Sequence, residues 1–387
     1  AMPAMGSRVA TSRGLGLARA WPRARPPAPR RCAVPSARPA AAAFARAFAA
    51  ASTNAPQADA DGAPHVPVLM RQVMECFEGR SVRAYVDGTM GAGGHASAMV
   101  RAHPEMRAFV GFDVDPAAHA LARPRLEAAA RSAGREDGAT RLHFQLANFR
   151  DMRVELEALQ LRGQLDGVLL DLGVSSMHLD TPERGFSFND DGPLDMRMGP
   201  GAALTAEALV NDWPEDEIAR VLRDYGEERH WRLLARRICD VRAARPIRTT
   251  RELVAAIGRV PGVNKRGRSG NVHPATRAFQ GIRIAVNDEL GAAEAAIPAA
   301  IDCLAPGGRL AIITFHSLED RIVKNAFRKF AGRVEAPDRP ISAWEMPPEP
   351  PPKIVKLVTR KPIVADEQEV WENVRSRSAK LRICEKL

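Results

Sequence analysis

The sequence of 387 residues is poor in cysteine: it has no CxxC pair, and its five cysteines are Cys32, Cys76, Cys239, Cys303 and Cys384. Scattered cysteines argue against a zinc site and against a disulfide framework, so no metal site is predicted. The sequence also lacks a run of about 18 uninterrupted apolar residues, the length that a membrane-spanning helix needs. We therefore expect a protein without a membrane partner.

Acidic residues are absent from positions 1–58, which contain nine arginines and no lysine. Removing these nine charges lowers the net charge from +10 to +1, so the basic character belongs mostly to the N-terminal segment. Any RNA-binding surface must therefore be a local patch. The segment is rich in Ala, Arg and Pro, which is typical of an organelle transit peptide that is later removed. A disordered tail is the alternative.

Residues 85–115 carry the pattern of a nucleotide-cofactor pocket. A short apolar run ends at Asp87, and four glycines follow before an Ala-rich helix that His95 opens. Glycines at such a turn let the backbone approach a ligand closely. A second apolar run, 108–112, ends at Asp113, roughly 20 residues after the turn, where a carboxylate meets ribose hydroxyls. A dinucleotide and S-adenosylmethionine (SAM) both fit this pattern.

Strand and helix signals alternate from Gly88 onward, which predicts an α/β fold with a parallel sheet covered by helices on both faces. Strands are predicted at 85–86, 108–113, 142–146, 165–171, 309–315, 353–359 and 380–384, and helices at 117–133 and 279–304. Between them the pattern predicts only helices, at 204–211, 215–225, 229–244 and 250–257, with N-cap candidates Thr205, Asp212 and Thr249. This stretch is interpreted as a helical insertion, and prolines 347–352 as a connecting loop.

Three of the predicted strands end in aspartate, at Asp87, Asp113 and Asp171. Ligands of open α/β sheets bind at the carboxyl ends of the strands. Carboxylates that converge on one edge repel one another, and this cost is expected only where they bind something. Asp171 taken alone would also be explained as a cap of a turn or helix.

Seven ordered motifs resemble the bacterial-type 16S rRNA (cytosine-N4)-methyltransferases of the RsmH/MraW family. The motifs are GTMGAGGH at 88–95, LLDLGVSS at 169–176, ERGFSF at 183–188, DGPLDMRM at 191–198, YGEER at 225–229, HPATR at 273–277 and FHSLEDR at 315–321. The resemblance runs from about residue 65 to the C-terminus. It implies a Rossmann-like class I SAM-dependent methyltransferase sheet with an inserted all-helical domain.

The resemblance also implies which residues form the site. The SAM-binding residues would be Gly93, Gly94, His95, Asp113, Phe149, Asp171 and His178. Asp171 and Ser175 are the catalytic candidates, with Asp171 orienting the reacting amine or the sulfonium region. His178 departs from the family pattern, which usually has Gln at this position. A second departure is Val374, where the bacterial relatives tend to have proline after the asparagine.

The implied reaction is methylation of the exocyclic N4 of one cytidine in small-subunit rRNA, with the free rRNA or the assembled small subunit as substrate. Phe186 and Phe188 are candidates for stacking the flipped base. The basic residues of the insertion and of the following helix are candidates for phosphate contacts, and His316 lies at the same predicted pocket edge. The RNA-binding candidates are Arg197, Arg229, Lys265, Arg266, Arg268, Arg277 and His316.

Two other function classes remain open from the residues alone. A NAD-dependent oxidoreductase explains the glycine turn and Asp113, and a ribosome assembly factor without catalysis explains the basic insertion. The predicted organisation is a transit peptide at 1–62, a methyltransferase domain at 63–183 and 276–387, and the insertion at 184–275. Prolines within 22–39 suit a mitochondrial amphipathic helix poorly, so the plastid stroma is favoured over the mitochondrial matrix. A monomer and a homodimer are both compatible with the sequence.

Overall fold

The computed structural model describes residues 66–133, 140–259, 274–333 and 350–387. Within these residues, seven strands form one sheet. The strands are β1 (Ala84–Asp87), β2 (Ala108–Asp113), β3 (Arg141–Leu146), β4 (Leu165–Asp171), β5 (Leu304–Thr314), β6 (Val355–Leu357) and β7 (Lys380–Lys386). Their spatial order is β3-β2-β1-β4-β5-β7-β6.

Strands β1 to β5 are parallel, whereas β7 runs antiparallel to β5 and β6 antiparallel to β7. The strand order reverses at β1 and β4, where a parallel sheet opens a crevice outside the carboxyl ends of its strands. The sheet confirms the predicted α/β architecture. It also brings the ends of β2, β1 and β4 side by side.

Helices account for most of the remaining described chain. The N-terminal helices are α1 (Met70–Phe77), α2 (Gly94–Ala102), α3 (Pro116–Ser132), α4 (Met152–Ala158) and α5 (Ser176–Leu179). The helices that follow are α6 (Ala206–Asp212), α7 (Glu215–Asp224), α8 (Trp231–Ala244), α9 (Thr250–Ile257), α10 (Pro274–Asn287), α11 (Glu289–Cys303), α12 (Ser317–Phe330) and α13 (Glu367–Glu372). None of the described helices is long and apolar enough to cross a membrane.

The sheet is packed on both faces because its strands alternate their side chains between two cores. Tyr85 points into a core built with α1, α2 and α3, and its neighbour Val86 points into a core built with α4, α11 and α12. Successive side chains of a strand point to opposite faces, so a strand that is apolar throughout requires cover on both sides. Burial of all four residues of β1 follows from this arrangement.

The helical stretch between β4 and β5 has a hydrophobic core of its own. Residues of α6, α7, α8 and α9 pack together with Phe186, Leu194 and Met196. Buried residues of α10, among them Phe279 and Ile282, belong to the same core, although the predicted insertion ends at 275. The exact domain boundaries stay a prediction.

The predicted single helix over 279–304 is wrong, because Asp288 interrupts it with a left-handed backbone (φ 49°). The contacts around this position explain the break. The Asn287 side chain donates to the carbonyl of Met196 (2.7 Å) and accepts from the amide of Met198 (2.8 Å), while Arg150 pairs with Asp288 (3.0 Å). Asn and Asp tolerate the left-handed region better than other residues.

Local capping was predicted correctly at two of three positions. Thr205 and Thr249 cap α6 and α9, and Glu252 completes a capping box with Thr249. The prediction for Asp212 is wrong, because this residue is the last of α6 and α7 begins after Pro214. Residues 347–349 of the proline segment and all of residues 1–62 lie outside the described residues.

Candidate cofactor and substrate site

The glycine turn after β1 leads directly into α2. Gly93 is the N-cap of α2 and has a left-handed backbone (φ 78°). A Cβ at Gly93 would lie 3.2 Å from the Ala122 side chain, and a Cβ at Gly94 would lie 2.4 Å from Pro67. A side chain at Gly93 would be strained by this backbone, and one at Gly94 would require Pro67 to shift. Glycines therefore let the turn after β1 pack closely against Pro67 and Ala122.

Asp113 supports this turn from the neighbouring strand. Its Oδ2 accepts the amide of Gly91 (2.8 Å), and its Oδ1 accepts the amide of Asp115 (2.9 Å). Burial raises the pKa of Asp113, while these two amides act in the opposite direction. The residue that was predicted to bind ribose also organises the backbone on both sides of the crevice.

The three predicted aspartates lie at the ends of three adjacent strands. Burial, reinforced by the charge of Asp113, raises the pKa of Asp87 to about 7. Burial together with the charges of Asp87 and Glu319 raises the pKa of Asp171 well above its ordinary value. The Asp171 side chain is 25% exposed, yet its Oδ1 is buried and has no hydrogen-bond partner among the described residues. Negative charge is therefore costly at this edge, and a cationic ligand would favour the ionised carboxylates.

His95 faces the same edge from the first turn of α2. Burial lowers the pKa of His95 to about 4, so its imidazole is neutral near pH 7. Its Nε2 lies 3.0 Å from the carbonyl of Val68, which only a protonated Nε2 satisfies. The unprotonated Nδ1 then faces Asp171 Oδ2 at 3.9 Å. His95 therefore presents Nδ1, a hydrogen-bond acceptor, to this edge of the sheet.

His178 lies on the other side of the crevice, paired with Asp115. Its Nε2 is 3.1 Å from Asp115 Oδ2, which also accepts from Arg184 (2.7 Å). Burial alone would raise the pKa of Asp115, but the bonds from His178 and Arg184 outweigh it and hold that pKa well below its ordinary value. His178 Nδ1 is buried without a partner in the described chain. The roles of Asp115 and Arg184 were not predicted from the sequence, although Arg184 lies within the ERGFSF motif.

Phe149 and Ser175 adjoin the crevice in positions that also serve the fold. Phe149 begins a short 3-10 helix after β3, where its Cβ lies 3.4 Å from the ideal Cβ position of Gly88. Ser175 caps α5, and its Oγ accepts the amide of His178 (3.3 Å). Both residues are therefore at the predicted edge, and Ser175 orients the helix that carries His178.

The two aromatic candidates for base stacking are engaged within the protein. Phe186 stacks on His178 with ring centroids 4.8 Å apart and is only 6% exposed. Phe188 packs edge-to-face against Phe279 at 5.0 Å. In this conformation Phe186 has little surface to offer a base.

The predicted RNA-binding residues differ in their surroundings. Arg197 forms a two-point contact with Asp195 (2.8 and 2.7 Å), whereas Arg229 is exposed and Arg277 donates to the carbonyl of Glu227 (3.3 Å). His316 is the N-cap of α12 at the end of β5. Lys265, Arg266 and Arg268 lie outside the described residues.

The residue at 227 connects the insertion to this end of β5. Glu227, which has a left-handed backbone (φ 47°), accepts a hydrogen bond from the Ser317 hydroxyl and lies 3.7 Å from Arg321. The loop that carries Arg229 therefore lies beside the start of α12. The insertion therefore contacts the carboxyl end of β5 through Glu227.

The chain is similar to known methyltransferases over most of its length. A family model described as the MraW methylase family matches residues 62–387. The chain is 47% identical over 324 residues to a protein of Heliobacterium modesticaldum named ribosomal RNA small subunit methyltransferase H, with 84% of this chain and 98% of that protein covered. Proteins of the same name from Symbiobacterium thermophilum and Clostridioides difficile are 45% and 42% identical, with 84% of this chain and 96% and 99% of theirs covered.

Among solved structures, an rRNA methylase from Streptococcus thermophilus aligns with 82% of this chain and 93% of its own. The TM-score is 0.33 and the sequence identity is 12%. A structural likeness at this level supports no conclusion about fold or function.

Proposed function

Because this chain belongs to the MraW methylase family and is a SAM-dependent methyltransferase, we propose that it methylates the exocyclic N4 of one cytidine in small-subunit rRNA. The relatives named ribosomal RNA small subunit methyltransferase H support the choice of substrate. The observation that carries the proposal is the convergence of Asp87, Asp113 and Asp171 on one sheet edge, with the insertion joined to the same edge through Glu227. Cofactor and RNA would therefore bind at the same edge of the sheet.

The residues at this edge fit SAM. Gly93 and Gly94 follow the end of β1, and side chains there would press on Ala122 and Pro67, so the turn has a bare main chain. The raised pKa values of Asp87 and Asp171 show that negative charge is costly at this edge in the absence of a cation. His178 Nδ1 offers an unused buried acceptor. We assign SAM binding to Gly93, Gly94, His95, Asp113, Phe149, Asp171 and His178.

When bound, SAM supplies a methyl group on a positively charged sulfur. The N4 amine of cytosine is a poor nucleophile because its lone pair is delocalised into the ring, so the chain must hold it in line. Bound SAM would leave as the neutral thioether after giving its methyl group to N4, and the one proton that N4 then releases would pass to water. We propose that Asp171 accepts a hydrogen bond from the amine, because its unpartnered Oδ1 lies at this edge.

RNA contacts are proposed for the insertion and the start of α12. Arg229 and Arg277 flank the loop that contacts Ser317, so their charges lie near the pocket rim. The guanidinium of Arg197 already forms an ion pair with Asp195, so Arg197 is a weaker candidate for phosphate binding. Lys265, Arg266 and Arg268 are included from the sequence alone.

An organellar ribosome is proposed as the source of the substrate. The support is the arginine-rich, acid-free segment at 1–58, and the plastid stroma is favoured over the mitochondrial matrix. A fluorescent protein fused to residues 1–62 would test this, and fluorescence confined to the cytosol would overturn the transit-peptide proposal.

The experiment for the function itself is methyl transfer from labelled SAM to small ribosomal subunits that lack the modification. The full chain should label one cytidine, and mass analysis of the nucleosides should identify N4-methylcytidine. Binding of SAM and RNA without transfer would favour an assembly factor. A spectral change linked to nicotinamide, without SAM binding, would favour an oxidoreductase.

A further inference from the structure

Four charged or titratable side chains meet where β5 ends and α12 begins. They are Arg283 of α10, Glu289 of α11, and His316 and Glu319 at the start of α12. The nearest ligand atoms of Glu289, His316 and Glu319 all lie within 4.8 Å of one another. The cluster lies beside the pocket, because the charge of Glu319 contributes to the raised pKa of Asp171.

The cluster is poorly suited to a metal ion because Glu289 is already neutralised. Arg283 Nε and Nη2 donate to the two oxygens of Glu289 at 2.8 and 2.9 Å, and both side chains are largely buried. The two-point guanidinium contact occupies both carboxylate oxygens of Glu289, with which it would otherwise bind a metal ion. His316 and Glu319 then remain as the groups with unused atoms.

Glu319 is held in one orientation. It is 1% exposed, and its Oε2 accepts the amides of Phe315 (2.8 Å) and His316 (3.4 Å). Burial alone would raise its pKa, but His316, the Phe315 amide and the charge of Arg283 hold that pKa below its ordinary value. Glu319 is therefore ionised near pH 7. Its other oxygen, Oε1, is buried and has no hydrogen-bond partner among the described residues.

His316 places a nitrogen next to this oxygen. Its Nδ1 accepts the amide of Glu319 (3.5 Å), so the proton of a neutral ring belongs on Nε2. Nε2 lies 3.1 Å from Glu319 Oε1, but the two atoms are not aligned as a hydrogen bond, and Nε2 is also buried without a partner within the described chain. A donor and an acceptor thus lie side by side.

The end of β4 lies beside this pair. Gly173, two residues after Asp171, has a left-handed backbone (φ 95°), and a Cβ there would lie 3.8 Å from Glu319 Oε1 and 3.6 Å from the Phe315 ring. A buried donor and acceptor without partners are costly unless a ligand satisfies them. The pair is therefore positioned to receive a ligand that carries an adjacent donor and acceptor.

Resting on the function proposed above, we propose that Glu319 and His316 read the Watson–Crick edge of the target base and select cytosine over uracil. Glu319 Oε1 accepts one hydrogen of the N4 amine, and His316 Nε2 donates to N3. Uracil presents the opposite pattern, with an acceptor at O4 and a donor at N3. The second N4 hydrogen remains for Asp171. Flipped bases are recognised through this edge, and carboxylates pair with the cytosine amine in other complexes.

The test is binding of free cytidine and free uridine to the full chain in the presence of S-adenosylhomocysteine. The wild-type protein should prefer cytidine by about tenfold or more. In Glu319→Gln the amide can donate to O4, and in His316→Asn the shorter side chain no longer reaches N3. Each variant should reduce the preference to within about twofold, and kcat/KM for rRNA should fall about 100-fold.

Both variants keep the local fold, because Gln serves at the third position of a capping box and Asn is a favoured N-cap. Their melting temperatures and affinities for SAM should match the wild type. The matched control is Glu252→Gln in the Thr249 capping box, where both carboxylate oxygens have partners. This control should leave the cytidine preference unchanged.

An unchanged cytidine preference in either variant that retains its melting temperature would overturn the proposal. Wild-type binding or activity that is lost with EDTA and restored by Mn²⁺ or Zn²⁺ would overturn it in favour of a cation site. If the wild type prefers cytidine but does not methylate rRNA, the recognition pair stands and the proposed function fails.

Discussion

Asp113 at the end of β2 accepts the amide of Gly91 (2.8 Å) in the turn after β1. One carboxylate thus shapes the glycine turn and faces the crevice. The same residue was predicted from its spacing to bind ribose, and the structure adds that two backbone amides, of Gly91 and Asp115, hold its side chain in place.

Asp113→Asn should weaken SAM binding at least about tenfold, because it replaces hydrogen bonds to a charged acceptor that contribute about 1.5–3 kcal/mol. Calorimetric titration would measure this. Asp166→Asn is a matched control, since Asp166 also accepts two backbone amides, of Arg83 and Ala84, but at the opposite end of the sheet. Equal loss of SAM affinity in both variants would contradict a specific role for Asp113.

Asp171→Asn should lower kcat by about 100-fold or more, by analogy with the loss of one positioned polar group in other enzymes. The affinity for SAM should fall less, by about tenfold at most, because Asn keeps the shape of Asp171 and removes only its charge. Single-turnover methyl transfer would measure the rate. Asp166→Asn, at the other end of the same strand, is again the control. Full turnover in Asp171→Asn would exclude a catalytic role.

Asp87 should make the stability of the cofactor-free protein fall as pH rises. Its pKa is about 7 in the folded protein and about 4 in an unfolded chain, so only the folded state keeps the proton between these values. The stabilisation is complete below about pH 4 and is lost as pH rises through about 7. Asp87→Asn removes this dependence. The measured quantity is the melting temperature of the variant minus that of the wild type. This difference should be more positive at pH 8 than at pH 5, by about 2 °C or more. The same difference at both pH values would refute a raised pKa for Asp87.

His178→Gln should retain SAM binding to within about threefold, because an amide still donates to Asp115, whereas His178→Ala should lose about tenfold with that charge-assisted bond. Fluorescence or calorimetric titration distinguishes the two. His103→Ala is the control, since His103 is also buried and pairs with Glu105 (3.0 Å) away from the crevice. Equal SAM affinities in the Gln and Ala variants would show that the pair with Asp115 has no part in binding.

Arg229→Ala should weaken rRNA binding. It should also reduce the slope of log Kd against log salt concentration by about 1, which corresponds to the loss of one phosphate contact. Filter binding at several salt concentrations would measure the slope. Arg107→Ala is the control, because Arg107 is exposed but precedes β2 at the edge of the sheet away from the pocket. Equal slopes for Arg229→Ala and the wild type would remove Arg229 from the interface.

Local patterns predicted the strands well because apolar runs and the turns that end them are properties of neighbouring residues. The runs that end in Asp87, Asp113 and Asp171 became β1, β2 and β4, and Thr205 and Thr249 became N-caps. The helix break at Asp288 was missed, because contacts with residues near 150 and 196 stabilise it and nothing in the local pattern reports them.

The sequence by itself determined the alternation of strands and helices, the glycine turn and the identity of the charged strand ends, since each depends on residues close together in the chain. Tertiary structure alone decided which carboxylates keep a proton, that Arg283 neutralises Glu289, and that His316 and Glu319 present unused atoms side by side. These features depend on burial and on partners far apart in sequence, because the cost of a buried charge is set by its surroundings in space.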